Sequence, residues 1–341
     1  MTVYNPLIIE SFGHGSLTWL GSYGWTYSGL SLGTTVKHQT VSGAGSGYSA
    51  VLGNGNSIFS PLVPTTGRYL HLVVNSPTSI GTSNLYFYRL GTANCSITCN
   101  QGTVRLYRGA VATLLATAGS SISTATNHLW ICDVVAKDLG QMRLYLDRSA
   151  TPLVETAAGL TTDCQASATA DVDQIVGSHS SSNTTYWMDL VWFPAADGLP
   201  TFECYGQWQY PTGNGVVTFT PSTPPNWACV DDACLTVDYN SRTSAGTDYL
   251  TYAALSTTPI GSSAITIVAV AQHLYGTAEG AITTAANTVS SGAATGSGVL
   301  RSLSAGGTYS GLQDYFTSDP STSAAWTVAG LNAASFGYTV A

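Results

Sequence analysis

At 341 residues the chain is longer than a single hydrophobic core usually serves, so two domains are expected. Apolar residues make up 44% and charged residues only 8%, against about 25% in an ordinary globular domain. This excludes a disordered chain and leaves a surface of Ser, Thr, Gly and Asn. The net charge of −8 excludes a nucleic-acid binder working through a basic stripe.

Met1–Glu10 has no basic region and an apolar run of only three residues, so no export signal is expected. The longest apolar stretch, Ala264–Ala271, falls far short of the ~20 residues of a spanning helix. Synthesis in the cytoplasm, with no membrane insertion, is the expectation. Aromatic residues crowd two windows, one with Trp19, Tyr23, Trp25 and Tyr27, the other with Trp208 and Tyr210. Such residues either stack on a sugar or fill a core or subunit interface.

Period two dominates the rest of the chain. Strands are predicted at Leu70–Asn75, Asn84–Leu90, Thr103–Arg108, Pro152–Ala157 and Gln174–Gly177. His128–Lys137 and Gln141–Arg148 form a predicted hairpin, the second strand having one wet face. In Thr185–Phe193, Tyr186, Met188, Leu190 and Trp192 fall on one side. Prolines at 194, 200, 211, 221, 224 and 225 read as an extended connector, since central strands exclude proline. Beyond it Ile265–Ala271 is the best strand, Thr277–Gly298 reads as a loop, and Thr327 caps a short helix through Ala334 that Gly337 closes.

Little chemistry is visible. The six histidines lack metal-ligand spacing and read as surface or core residues. Gly29-Leu-Ser31-Leu-Gly33 matches a nucleophile elbow, but a β-branched run follows where that motif needs a helix. Gly43-Ala-Gly45-Ser-Gly47 reads as a glycine-rich bend rather than a phosphate loop. Asp171 with Asp173, and Asp231 with Asp232, are weak calcium candidates set against solvated loop carboxylates. No other cofactor is expected. Seven cysteines argue against a complete disulfide framework, and Cys132 reads as a core residue. Cys95 with Cys99, and Cys229 with Cys234, are local pairs open to bridging, or together to zinc, although their spacings are not the tight metal pair.

In order along the chain, several stretches resemble a family of tailed-bacteriophage virion structural proteins. They are Gly43–Leu52, Thr185–Phe193, Tyr210–Gly215, Asn226–Asp232 and Asp248-Tyr249, then Ser318-Asp-Pro320, Ala325-Trp326-Thr327, Asn332-Ala333 and Phe336-Gly337. The chain departs from that family in Gln272-His273, where a basic residue is usual, and in its lower charge. The resemblance implies an all-β fold: a concanavalin-A-like (laminin-G-like) jelly roll, then a smaller β-sandwich domain with one short helix near the C-terminus. The expected boundaries are 1–198 for the jelly roll, 199–230 for the connector and 231–341 for the C-terminal domain.

The function implied is that of a virion surface component, a head decoration, spike or tail protein, with no catalytic residue carried over. Its partners would be other capsid or tail proteins and copies of itself, a trimer being favoured. The alternative is a receptor-binding lectin of the tail or fibre that recognises a host surface glycan. A glycan-degrading enzyme would need two carboxylates across a groove, which the sequence does not identify.

Overall fold

Alternating apolar residues meet between two antiparallel sheets to make the larger part of the molecule. The computed structural model describes residues 4–10, 12, 17–36, 46–75, 82–123, 127–147, 149–180, 184–199, 209–222, 224–229, 239–255, 267–278 and 280–341. Of these, the side chains of 17–19, 33–36, 46–48, 75 and 227 lie outside the description. Two compact units are present, the larger within 6–206 and the smaller built mainly from 207–341. The protein is all-β, a jelly-roll sandwich followed by a smaller β-sandwich with one short helix near its C-terminus.

In the larger unit the first sheet runs, in spatial order, Val154–Glu155, Gln141–Leu146, Asn127–Val135, Gly67–Asn75, Thr185–Pro194, Ser46–Leu52, Ser31–Val36, and Ile8–Glu10 also pairs with Thr185–Pro194. The second sheet runs Thr113–Thr117, Thr103–Arg108, Thr92–Asn100, Thr82–Arg89, Gln174–His179, Ser57–Phe59, Thr26–Ser28. Their facing sides share one core, with Leu70, Leu72, Trp130, Met142 and Leu144 from the first and Leu85, Phe87, Ile97, Val104 and Leu106 from the second. The chain crosses repeatedly from one sheet to the other, which closes the jelly roll.

The predicted hairpin is present, with Trp130 opposite Leu146 and Val135 opposite Gln141. Its outer face is drier than expected, because Leu129, Ile131 and Tyr145 are buried there with Val73 and Met188. Thr185–Pro194 departs from simple alternation. Trp187 enters the main core with Leu190 and Trp192, while Met188 lies in the outer cluster. A bulge between Met188 and Val191, with Asp189 at φ 38°, reverses the parity. Pro152–Ala157 contributes only Val154–Glu155. The N-terminal part also contains an unexpected helix, Leu17–Ser22, which places Leu20 in the core.

In the smaller unit the described part of the expected connector contains two short strands. Pro211–Asn214 pairs with Gly246–Tyr252, and Thr220–Pro221 pairs with Asn240–Ser241. Proline is tolerated here because Pro211 begins an edge strand. The main sheet runs Pro211–Asn214, Gly246–Tyr252, Ser335–Val340, Thr284–Ser291, Ala294–Ser297, with Arg301–Ser302 also paired to Thr284–Ser291. The two-stranded sheet of Val270–Gly276 and Ser310–Phe316, strands far apart in sequence, packs Leu274 and Leu312 against it, beside Leu250, Ala285 and Tyr338.

Three expectations are corrected here. Thr277–Gly298 is not a loop but holds a central strand, whose small side chains Ala285, Ala286 and Asn287 fit a fully buried position. The strand placed at Ile265–Ala271 runs instead at Val270–Gly276, and residues 265 and 266 lie outside the described set. Thr327 caps helix Val328–Ala333, its hydroxyl accepting from the Gly330 N–H, as expected. Ala334, not Gly337, ends the helix. Gly337 sits in a strand where a Cβ would fall 1.8 Å from the Asp248 carbonyl oxygen.

Candidate functional site

The outer face of the second sheet of the jelly roll carries two contrasting rows of side chains. Ile58, Leu85, Phe87, Ile97, Val104, Leu106 and Ile175 point into the core, so their neighbours along each strand point out. Strand register then sets those outward residues in rows. One row reads Thr26, Phe59, Val176, Tyr86, Ser96, Tyr107, Leu114. The next reads Ser28, Ser57, Ser178, Asn84, Thr98, Arg105, Thr117. An aromatic stripe therefore lies beside a stripe of hydroxyl, amide and guanidinium groups.

Val176, Asn84, Ser96 and Thr98 form a buried floor, with Phe59, Tyr86, Tyr88, Tyr107 and Arg105 half-buried around it. The rings support one another edge to face, Phe59 with Tyr88 at 6.4 Å and Tyr86 with Tyr88 at 6.1 Å. Burial, then the neighbouring Tyr86, raises the Tyr88 hydroxyl above its ordinary pKa, so it is a neutral donor at physiological pH. On the floor, Thr98 Oγ1 donates to Asn84 Oδ1 at 3.0 Å, and Asn84 Nδ2 donates to Ser178 Oγ at 3.4 Å.

Arg105 stands apart from the other cations. Of the ten Lys and Arg residues, Lys37 and Arg148 lie outside the described set. Six of the remaining eight pair with aspartates: Arg68 and Arg143 with Asp133, Arg89 with Asp173, Arg108 with Asp163, Lys137 with Asp171, Arg301 with Asp314. Arg242 donates to two backbone carbonyls. Among the described residues, Arg105 is the one cation whose side chain has neither an ion pair nor a hydrogen bond.

The other clusters are consumed within the fold. On the outer face of the first sheet, Asp133 is buried between Arg68, at 2.7 Å, and Arg143. The bond to Asp133 raises the pKa of Arg68, and both carboxylate oxygens of Asp133 accept from guanidinium groups. His179 Nδ1 lies 2.9 Å from the Ser83 hydroxyl and 3.2 Å from that of Thr185, a knot tying the two sheets. In the smaller unit, buried Asp248 accepts from the Thr218 and Phe219 backbone N–H groups and from Asn226 Nδ2 at 3.0 Å. Asn240 Nδ2 donates to the Asn226 carbonyl and to Tyr338 Oη.

Several sequence candidates lie elsewhere. Trp25 is buried in the core, edge to face with Phe12, and so is not a surface aromatic. Trp19 lies on helix Leu17–Ser22, but its side chain, with Trp208, Asp231 and Asp232, is outside the described residues. Tyr210 is half-buried at the entry to Pro211–Asn214. Asp171 pairs with Lys137 at 3.5 Å, while Asp173 meets Arg89 at 3.4 Å and accepts from the Leu90 N–H, so the two do not converge on a cation position. Among the described residues there is no group of three or more His, Cys, Asp or Glu arranged for a metal.

At Cys95 and Cys99 the question left open by the sequence is answered against a bridge. Both are free and buried on the core face of one extended strand, four residues apart, where neither a bridge nor a shared ion is within reach. Cys234 lies outside the described residues, and with it the pair Cys229–Cys234. Ser31 of the elbow-like motif sits in strand Ser31–Val36.

Tyr86, Tyr107, Asn84 and Arg105 were missed as site residues by sequence reasoning, although Asn84–Leu90 and Thr103–Arg108 read correctly as strands. Their alternation was visible, but the rows they make depend on pairings between strands.

No family model and no curated protein matches this chain. Among solved structures, the cellulose induced protein Cip1 is similar at 15% identity and TM-score 0.41, over 59% of this chain and 100% of that one. Domain 4 of AbnA, an extracellular arabinanase from Geobacillus stearothermophilus, matches at 14% identity and TM-score 0.39, over 57% and 94%. An endo-beta-1,4-glucuronan lyase from the fungus Trichoderma reesei matches at 10% and 0.37, over 59% and 100%. At such low identity and TM-score, none of these likenesses bears on what this chain does.

Proposed function

We propose that this protein is a non-catalytic, glycan-binding surface subunit whose jelly roll takes sugar on the outer face of its second sheet. The observation that carries the reading is the pair of neighbouring stripes: Phe59, Tyr86 and Tyr107 in one, Asn84, Thr98 and Arg105 in the other. Sugar rings present C–H faces that pack on aromatic rings and hydroxyls that exchange hydrogen bonds with amides and hydroxyls. Strand positions hold these groups more rigidly than loops do, so less freedom is lost on binding. The test is binding of the full chain to an oligosaccharide array. Loss of binding in both Tyr86→Ala and Tyr107→Ala is expected, and retention in both would overturn the reading.

A second reading, a purely structural subunit of a tailed-phage particle, is favoured by the residues that carry the family resemblance. Asn226 and Asp248 are bonded to each other in the buried network of the smaller unit, and Trp326 and Phe336 share a core cluster there. These motifs thus maintain a fold rather than a reaction. Self-association into a trimer belongs to both readings. It is supported by the low charge, which leaves little repulsion between copies. Immunogold labelling of intact particles separates the settings: label on the tail favours receptor binding, label spread over the head favours decoration, and unlabelled particles exclude both.

A further inference from the structure

Resting on the glycan-binding reading, we infer that the sheet face selects acidic sugars, those bearing a carboxylate or sulfate, through Arg105. Its guanidinium has no partner among the described residues, although the chain is acidic overall and spends six of its other described cations on aspartates. A half-buried guanidinium left unpaired gives up hydration without compensation, unless a ligand anion completes it. Its own row and the adjoining aromatic row hold no aspartate or glutamate, so no carboxylate of these two rows competes for that role.

Position fits the same conclusion. Arg105 lies opposite Thr98, which is bonded to Asn84, and the adjoining row carries Tyr86 and Tyr107. A sugar packed on the tyrosine rings would bring its substituents over the polar row, where the planar fork of an arginine matches a carboxylate or sulfate bidentately. The arginine thus adds charge selection to the aromatic row beside it.

The experiment measures binding of the full chain to immobilised oligosaccharides that are neutral, hexuronate-containing, sialylated or sulfated. Wild type is compared with Arg105→Gln and Arg105→Lys. Preference for an acidic group is expected, with a loss of about ten- to a hundredfold in Arg105→Gln, the range for a charge-assisted contact, and partial retention in Arg105→Lys. The carboxylated and sulfated arms identify which anion is read. Preference for neutral sugars, or acidic binding unchanged in Arg105→Gln, would overturn the inference while leaving the glycan reading intact. Binding to none of the four classes would overturn both. Circular dichroism of each variant separates loss of contact from loss of fold.

Discussion

Gly177 of the second sheet lies under the indole of Trp187 of the first, so close that a Cβ at Gly177 would sit 2.2 Å from the ring. The glycine is required by this approach of a large ring across the sandwich and not by any unusual backbone angle. Gly177→Ala must displace Trp187 from the core. The expected cost is about 1–3 kcal/mol, read as a lower midpoint in denaturant unfolding. An unchanged midpoint would mean the sheets do not pack in this register.

Asp248 holds the start of the smaller unit together through five donors, the Thr218 N–H and hydroxyl, the Phe219 N–H, Asn226 Nδ2 and the Tyr338 hydroxyl. Asp248→Ala leaves the Thr218 and Phe219 N–H groups and the Asn226 amide without their acceptor. At about 1–3 kcal/mol for each buried unsatisfied donor, a loss of about 3 kcal/mol or more is expected. Hydrogen exchange should accelerate in Gly246–Tyr252 and Pro211–Asn214. Unaltered exchange there would contradict the network's role.

His128 gives a pH dependence with a definite sign. Its Nδ1 lies 2.7 Å from Asp147, and this bond, opposed by burial, raises its pKa above the ordinary histidine value. A raised folded-state pKa contributes stability that is complete below the unfolded value of about 6.5 and is lost as pH climbs through the folded one. Because Asp147 is half exposed, the contribution should stay below about 1 kcal/mol. NMR titration should show the His128 pKa falling in Asp147→Asn. No fall would show that the pair does not form in solution.

Cys95, Cys99, Cys132 and Cys164 should resist alkylation in the native protein. Burial pushes Cys99 and Cys164 up to about 11, and raises Cys95 and Cys132 as well. Their thiolates are therefore scarce at neutral pH as well as inaccessible. Mass spectrometry after iodoacetamide should find these four unmodified until denaturant is added. A Cys95–Cys99 disulfide in native material would contradict the free thiols.

Elements with strong alternation were legible in the sequence, and so was the Thr327 cap, because both signals are local. The hairpin at 127–146 and the strand bearing Tyr86 follow directly from the pattern of their residues. The parity change in Thr185–Pro194 was not legible, since the bulge at Asp189 is decided by the neighbouring strand. Thr284–Ser291 was concealed by its composition. Alanine, threonine and asparagine resemble a loop until the surrounding strands bury them. Trp25 shows the same limit in reverse: an aromatic cluster indicates contact, but tertiary packing decides whether the partner is core or ligand. The two stripes of the candidate site required four strand registers at once.

Whether sugar binds on this sheet is decided by a hydrogen-exchange footprint of the full chain with and without a saturating oligosaccharide identified on the array. Protection should concentrate in Thr82–Arg89, Thr92–Asn100 and Thr103–Arg108, which carry Asn84, Tyr86, Thr98, Arg105 and Tyr107. Protection confined to the turns bearing Leu90, Leu139 and Leu160, or to the smaller unit, would contradict a sugar site on this sheet.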